Sequence, residues 1–190
     1  MNNCGITVVH TSIVAALLLS FPRYATKPLE TEMASHKRPG ATPVRILRRV
    51  FKKLRVNARV PVLLPSTLPA SVDVNKIHFV EGETKPDGYE IWLGYERGCG
   101  QACQVGYFAA DRGGKPDKDE ADKIVRLAHG LQGYYLARSC GVSCTPPQIS
   151  WLYRGVLYTV QFNVNGKNAR QDENEIVALA NSTIQAADWH

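Results

Sequence analysis

Apolar and polar positions alternate most cleanly near the C-terminal end of the chain. Val156, Tyr158, Val160, Phe162 and Val164 fall on one side of an extended backbone, and Leu157, Thr159, Gln161 and Asn163 on the other. That period of two predicts a strand with one buried and one wet face. Residues 149–153 precede it across Arg154-Gly155, so the two segments predict a hairpin. Upstream, Tyr89, Ile91, Leu93 and Tyr95 alternate with Glu90, Trp92 and Gly94 and predict another strand. Residues 104–110 and 74–80 are further candidates, and 124–127 with 133–138 read as hairpin arms joined through 128–132. Residues 60–65 contain Pro61 and Pro65 and suit only an edge strand, since proline cannot donate into a ladder.

Toward the end of the chain the period changes. Ile176, Leu179, Ala180, Thr183, Ile184 and Ala187 form a helical stripe, with Asp172 as the expected N-cap and Glu175 three residues on, in the manner of a capping box. A second stripe comprises Val44, Leu47, Val50, Phe51 and Leu54, with Pro43 suited to its first turn and Pro61 past its end. The pattern predicts an α+β fold, an antiparallel sheet of five to seven strands with a C-terminal helix packed on one face. The expected organisation is a leader over 1–25, a linker and basic amphipathic segment over 26–59, and a single domain over 60–190.

Charge changes this picture at one place. The formal net charge of +6 resides largely in Arg45, Arg48, Arg49, Lys52, Lys53, Arg55 and Arg59, a segment with no acidic residue. From residue 60 onward there are twelve basic and fifteen acidic side chains, so the expected domain is slightly acidic. One reading packs the apolar stripe of this arm on the domain and leaves its cations in water. Another lays the helix on an anionic membrane surface or envelope polymer. Nucleic acid is not expected, because export would remove the protein from most nucleic acid. The arm is expected to be separable, with residues 60–190 folding by themselves.

Residues 6–21 carry no charge, a length suited to the core of an export signal or N-terminal anchor and short for a bilayer span. The signal is imperfect. No Lys or Arg precedes the apolar run, and Arg23 falls where a cleavage site wants a small residue. A buried element of the domain, or a start at Met33, are the rival readings. Export implies an extracytoplasmic location: periplasmic, secreted or N-terminally membrane-anchored.

Four of the five cysteines lie in twin segments. Cys99-Gly100-Gln101-Ala102-Cys103 and Cys140-Gly141-Val142-Ser143-Cys144 share one spelling, and each follows an arginine two residues upstream, Arg97 and Arg138. Cys4 is the fifth. In an oxidising compartment the favoured pairing is local, 99–103 and 140–144, each small loop constraining the unfolded chain by about 2 kcal/mol. Cross-pairing, a four-thiolate zinc site and a redox-active pair are the alternatives.

Several runs carry a family resemblance. Gly88-Tyr89-Glu90-Ile91, both cysteine pairs, Gly133-Tyr134-Tyr135, Pro146 and Pro147, Ile149-Ser150-Trp151, Gly155 with Tyr158, and Leu179-Ala180-Asn181-Ser182 resemble a family of uncharacterised bacterial exported proteins. More loosely they resemble small domains of unknown function with a Trp strand, a G-x-x-Y motif and a final helix ending near A-N-S. The resemblance spans roughly residues 60–186 and leaves the leader and basic arm outside. It implies an extracytoplasmic domain and no particular activity.

Motifs for chemistry are weak. Asp117, Asp119, Glu120 and Asp122 are acidic but lack the Gly and distal Glu of a calcium loop, and Lys118 and Lys123 dilute them. His78 and His129 pair with no nearby nucleophile motif, and Ser139 lacks a G-x-S-x-G context. Tyr134, Tyr135, Tyr153 and Tyr158 with Trp92 and Trp151 suit either a carbohydrate or peptide groove or ordinary cross-strand packing. No catalytic residue, metal or cofactor is assigned. The expectation is a non-enzymatic exported binding or structural module of the cell envelope. Its rivals are a hydrolase whose site assembles only in three dimensions and a lipid-handling membrane-associated protein.

Overall fold

A computed structural model describes residues 42–98, 103–141 and 143–187. The leader, Cys99 and the last three residues lie outside the described residues, so the expectations placed on them lie outside as well.

The centre is a seven-stranded, wholly antiparallel sheet in the order β1-β2-β3-β9-β8-β5-β4. Its strands are β1 (Phe79–Lys85), β2 (Gly88–Gly94), β3 (Gln104–Arg112), β4 (Lys123–Arg126), β5 (Gln132–Leu136), β8 (Gln148–Tyr153) and β9 (Val156–Phe162). A separate two-stranded ribbon, β6 (Ser139–Cys140) with β7 (Cys144–Thr145), holds the second cysteine pair. Two helices complete the fold, α1 (Arg48–Asn57), entered through a 3-10 turn at Arg45–Leu47, and α2 (Ala169–Gln185). The fold is α+β, with the C-terminal helix on the sheet.

Alternation in the strands sorts the sheet into two unlike faces. Ile91, Phe108, Val160, Ile149 and Tyr135 form one cross-strand row, and Tyr89, Ala110, Tyr158 and Trp151 the next. All of them are buried. Trp151 stacks on Tyr158 with centroids 5.8 Å apart, and Phe108 meets Phe162 edge-on at 5.4 Å. A side chain at Gly106 would collide with the Phe162 ring, its Cβ falling 2.3 Å away, so glycine leaves room for the aromatic across the strand.

Three pieces cover this face. Helix α2 buries Ile176, Leu179, Ala180 and Ile184. At the β1 end, α1 buries Val50 and Leu54, with Leu47 just before it. The approach is close: a Cβ at Gly82 would lie 2.2 Å from Val50 Cγ2. The stripe of the basic arm thus belongs to the core of the sheet, each full leucine burial stabilising by roughly 2 kcal/mol. Separability of the arm does not follow from this packing.

Between the helices runs a strap, residues 58–72. The expectation of an edge strand at 60–65 is corrected here, because the segment joins no sheet. Its prolines remove donors, and several of its backbone groups bond to side chains of the sheet and of α2. Tyr158 Oη donates to Pro61 O at 3.0 Å. Tyr89 Oη donates to Leu63 O at 3.0 Å and accepts from Leu63 N at 3.2 Å. Ser182 Oγ of α2 accepts from the amides of Ser66 and Thr67. The strand expected at 74–80 is displaced: residues Val74–Lys76 make a 3-10 turn, and β1 begins at Phe79.

The N-cap of α2 is also corrected. Asn168, not Asp172, caps it, its side-chain oxygen accepting from Gln171 N at 3.0 Å. Asp172 lies inside the first turn and is buried.

Candidate functional site

The opposite face of the sheet carries no helix or strap among the described residues. Two rows cross it in register. One runs Glu81, Trp92, Tyr107, Gln161, Gln148, Leu136 over six strands. The next runs Glu83, Glu90, Ala109, Thr159, Ser150, Tyr134, Ile124 over all seven. From β1 toward β4 each row passes from carboxylate, through aromatic or small, to amide or hydroxyl, and ends apolar.

Trp92 and Tyr107 form the platform of the first row, their rings 6.0 Å apart and tilted by 45°. Both are half-buried, as neighbours in a pleated sheet are. Glu90 stands beside them and pairs with Lys85. Burial, followed by a hydrogen bond to Glu90 and the charges of Glu90 and Glu83, raises the Tyr107 phenol well above its ordinary value. The hydrogen bond to Glu90 in turn raises the Lys85 ammonium. The patch therefore keeps a neutral phenol and a paired ammonium at physiological pH. Farther along, Ser150 Oγ and Thr159 Oγ1 lie 3.0 Å apart, and the Gln161 side-chain amide donates to Pro146 O at 3.4 Å.

The twin cysteine segments gain a place from this geometry. β2 leaves the sheet, β3 enters, β5 leaves and β8 enters all at one end. Cys103 precedes β3, and the Cys140–Cys144 ribbon links β5 to β8. Both connections thus flank the end nearest the aromatic and amide row. Cys140 and Cys144 form a disulfide, the local pairing expected of them. Cys103 is disulfide-bonded too, while its expected partner Cys99 lies outside the described residues. The upstream arginines anchor both bases. Arg97 pairs with Glu81 at 2.6 Å and lies over the Phe79 ring. Arg138 reaches Asp172 at 3.2 Å and Asn163 at 3.2 Å.

Aromatic residues named from the sequence divide between the faces. Tyr135, Tyr153, Tyr158 and Trp151 are buried under the helices and strap, whereas Trp92 and Tyr134 face the open side. Gln148, Ser150, Thr159 and Gln161 received no role from sequence. The alternation in β9 marks Thr159 and Gln161 as wet, but only cross-strand register sets them in line with Trp92.

Other expectations do not converge on a site. His78 precedes β1 and His129 lies between β4 and β5, at opposite edges of the sheet. The acidic stretch at 117–122 is a loop in which Asp117 accepts from the amides of Asp119 and Glu120 and Asp122 accepts from Ala137 N. Among the described residues no group of three or more potential ligands is placed to hold a metal. The seven basic residues of the arm are all exposed. Arg48 donates to Pro43 O and Lys53 to Gly82 O. Among the described residues no helix is long and apolar enough to cross a membrane.

No protein-family model, curated protein or solved structure matches the chain. The open face is therefore read from its chemistry alone.

Proposed function

We propose that this chain is a non-enzymatic, exported binding module of the cell envelope, and that the open sheet face takes an extended polysaccharide. The row of Trp92, Tyr107, Gln161 and Gln148 is the observation that carries this reading. Aromatic rings pack against the C–H faces of sugars, and amides and hydroxyls exchange hydrogen bonds with sugar hydroxyls. A row that crosses several strands fits an extended polymer better than a compact metabolite, which favours a concave pocket. The Cys140–Cys144 bridge, the uncharged leading segment and the resemblance to bacterial exported proteins support a periplasmic, secreted or N-terminally anchored location.

Calorimetric titration of the full chain with soluble fragments of envelope polysaccharide tests the reading. Binding should weaken about tenfold or more in Trp92→Ala and in Tyr107→Ala, each aromatic contact contributing on the order of 1 kcal/mol beyond its buried area. Gln161→Ala should weaken it less. Failure of every fraction to bind, or binding that Trp92→Ala leaves unchanged, would rule the proposal out.

A further inference from the structure

The outer side of α1 bears a feature that the sheet face does not explain. Arg48, Arg49, Lys52, Lys53 and Arg55 are exposed along the helix, with Arg45 before it and Arg59 after it. Among the described residues none of these seven cations pairs with a carboxylate. The carbonyls that receive Arg48 and Lys53 are neutral and leave their charge uncompensated. At 100° per residue the five helical cations sweep an arc of roughly 160°, and Val56 falls near its middle. Val56 is 82% exposed, the largest exposure among the large apolar side chains described.

We infer that this face is a docking surface for an anionic lipid bilayer. A lipid surface offers phosphate charge and an apolar boundary within one side chain's reach, which matches a valine ringed by cations. A soluble polyanion rewards the cations and leaves Val56 in water. The mode of contact is also set. Leu47 and Leu54 are fully buried and Val50 nearly so, all within the hydrophobic core, so the helix cannot turn its apolar stripe into lipid. It adsorbs through its polar side, with Val56 as the single apolar contact. Docking in this way leaves the Trp92 face, built on the other side of the sheet, free of the helix.

Vesicle co-sedimentation of the full chain tests the inference. The quantity read is the excess of binding to mixed phosphatidylglycerol–phosphatidylcholine vesicles over pure phosphatidylcholine vesicles, which removes any charge-independent contribution of the leading segment. That excess should fall steeply as salt rises to physiological strength, where the screening length is about 8 Å. The double variant R49E/K52E should lower it about a hundredfold at low salt. V56A should lower it about fivefold and leave binding to soluble polyglutamate unchanged. All three positions are exposed, so circular dichroism and melting should match the parent chain. An excess untouched by R49E/K52E overturns the surface. An excess untouched by V56A, or polyglutamate bound as tightly as the vesicles, overturns the choice of lipid.

Discussion

Arg138 and Asp172 join the second cysteine segment to the first turn of α2, with Arg138 Nε donating to Asp172 Oδ2 at 3.2 Å. The other carboxylate oxygen accepts from Gly166 N at 2.9 Å. The guanidinium also donates to Asn163 Oδ1 at 3.2 Å and to the Val164 carbonyl. One side chain thus gathers the end of β5, the exit of β9 and the start of α2. A planar fork suits this task in a way that an ammonium does not.

Arg138→Ala should therefore cost about 2 kcal/mol in urea unfolding, because Asp172 stays buried after its partner is gone. The figure is below that of a fully buried pair since the Arg138 side chain is 28% exposed. Arg138→Lys should recover little of the loss. A change of less than about 0.5 kcal/mol on Arg138→Ala would show that the connection is held by other contacts.

The tyrosines beneath the strap predict alkaline sensitivity. Burial raises the phenols of Tyr89 and Tyr158 above their ordinary value of 10.0. The fold then keeps a proton that the unfolded chain releases near pH 10, so stability is full below about pH 10 and declines as pH rises toward the folded values. Melting temperature should be level from about pH 7 to 9 and drop above about pH 10. Tyr158→Phe should cost about 1 kcal/mol at neutral pH by removing the bond to Pro61 O, and should make the alkaline decline shallower. An unchanged alkaline limb in that variant would exclude Tyr158 as a cause.

Helix α1 should prove part of the fold. Leu47→Ala and Leu54→Ala should each cost about 2–5 kcal/mol, since both side chains are 0% exposed. A chain beginning at Val60 should melt well below the full chain. Equal melting of the two would restore the arm to the status of a separable segment.

Phase along α2 is testable by contrast. Leu179 and Ile184 are buried and Asn174 is exposed. Leu179→Ala and Ile184→Ala should each cost about 2–5 kcal/mol. Asn174→Ala should cost about 0.5 kcal/mol or less. Comparable losses at Asn174 and Leu179 would place the wrong side of the helix on the sheet.

Much of the architecture was legible where burial imposes a period. The strands around Ile91, Phe108, Trp151 and Val160, the turn at Arg154-Gly155, and both helical stripes follow from alternation or from a period near 3.6. Less legible were segments whose environment is tertiary. β1 was expected too early in the chain because Glu81, Glu83 and Lys85 leave this edge strand polar, with Gly82 at its centre. Residues 60–65 carry strand-like composition, yet Pro61 and Leu63 find their backbone partners in the hydroxyls of Tyr158 and Tyr89, which no local pattern announces. Asp172 resembled a cap, while its actual partner, Arg138, lies far away in the chain. The candidate site was less visible still. Trp92 and Gln161 are distant in sequence, and only the insertion of β9 beside β3 aligns them.

That insertion governs when the molecule can form. β9 is the last strand to be made and occupies the middle position of the sheet, between β3 and β8. Until it arrives, β1, β2 and β3 have no continuation, and β4, β5 and β8 have nothing to join. Loop closure must precede the reward of pairing, so the non-local join of β3 to β9 is expected to set the pace of assembly. A chain handed across a membrane from its N-terminus would stay open through most of that passage and close only when its final residues emerged.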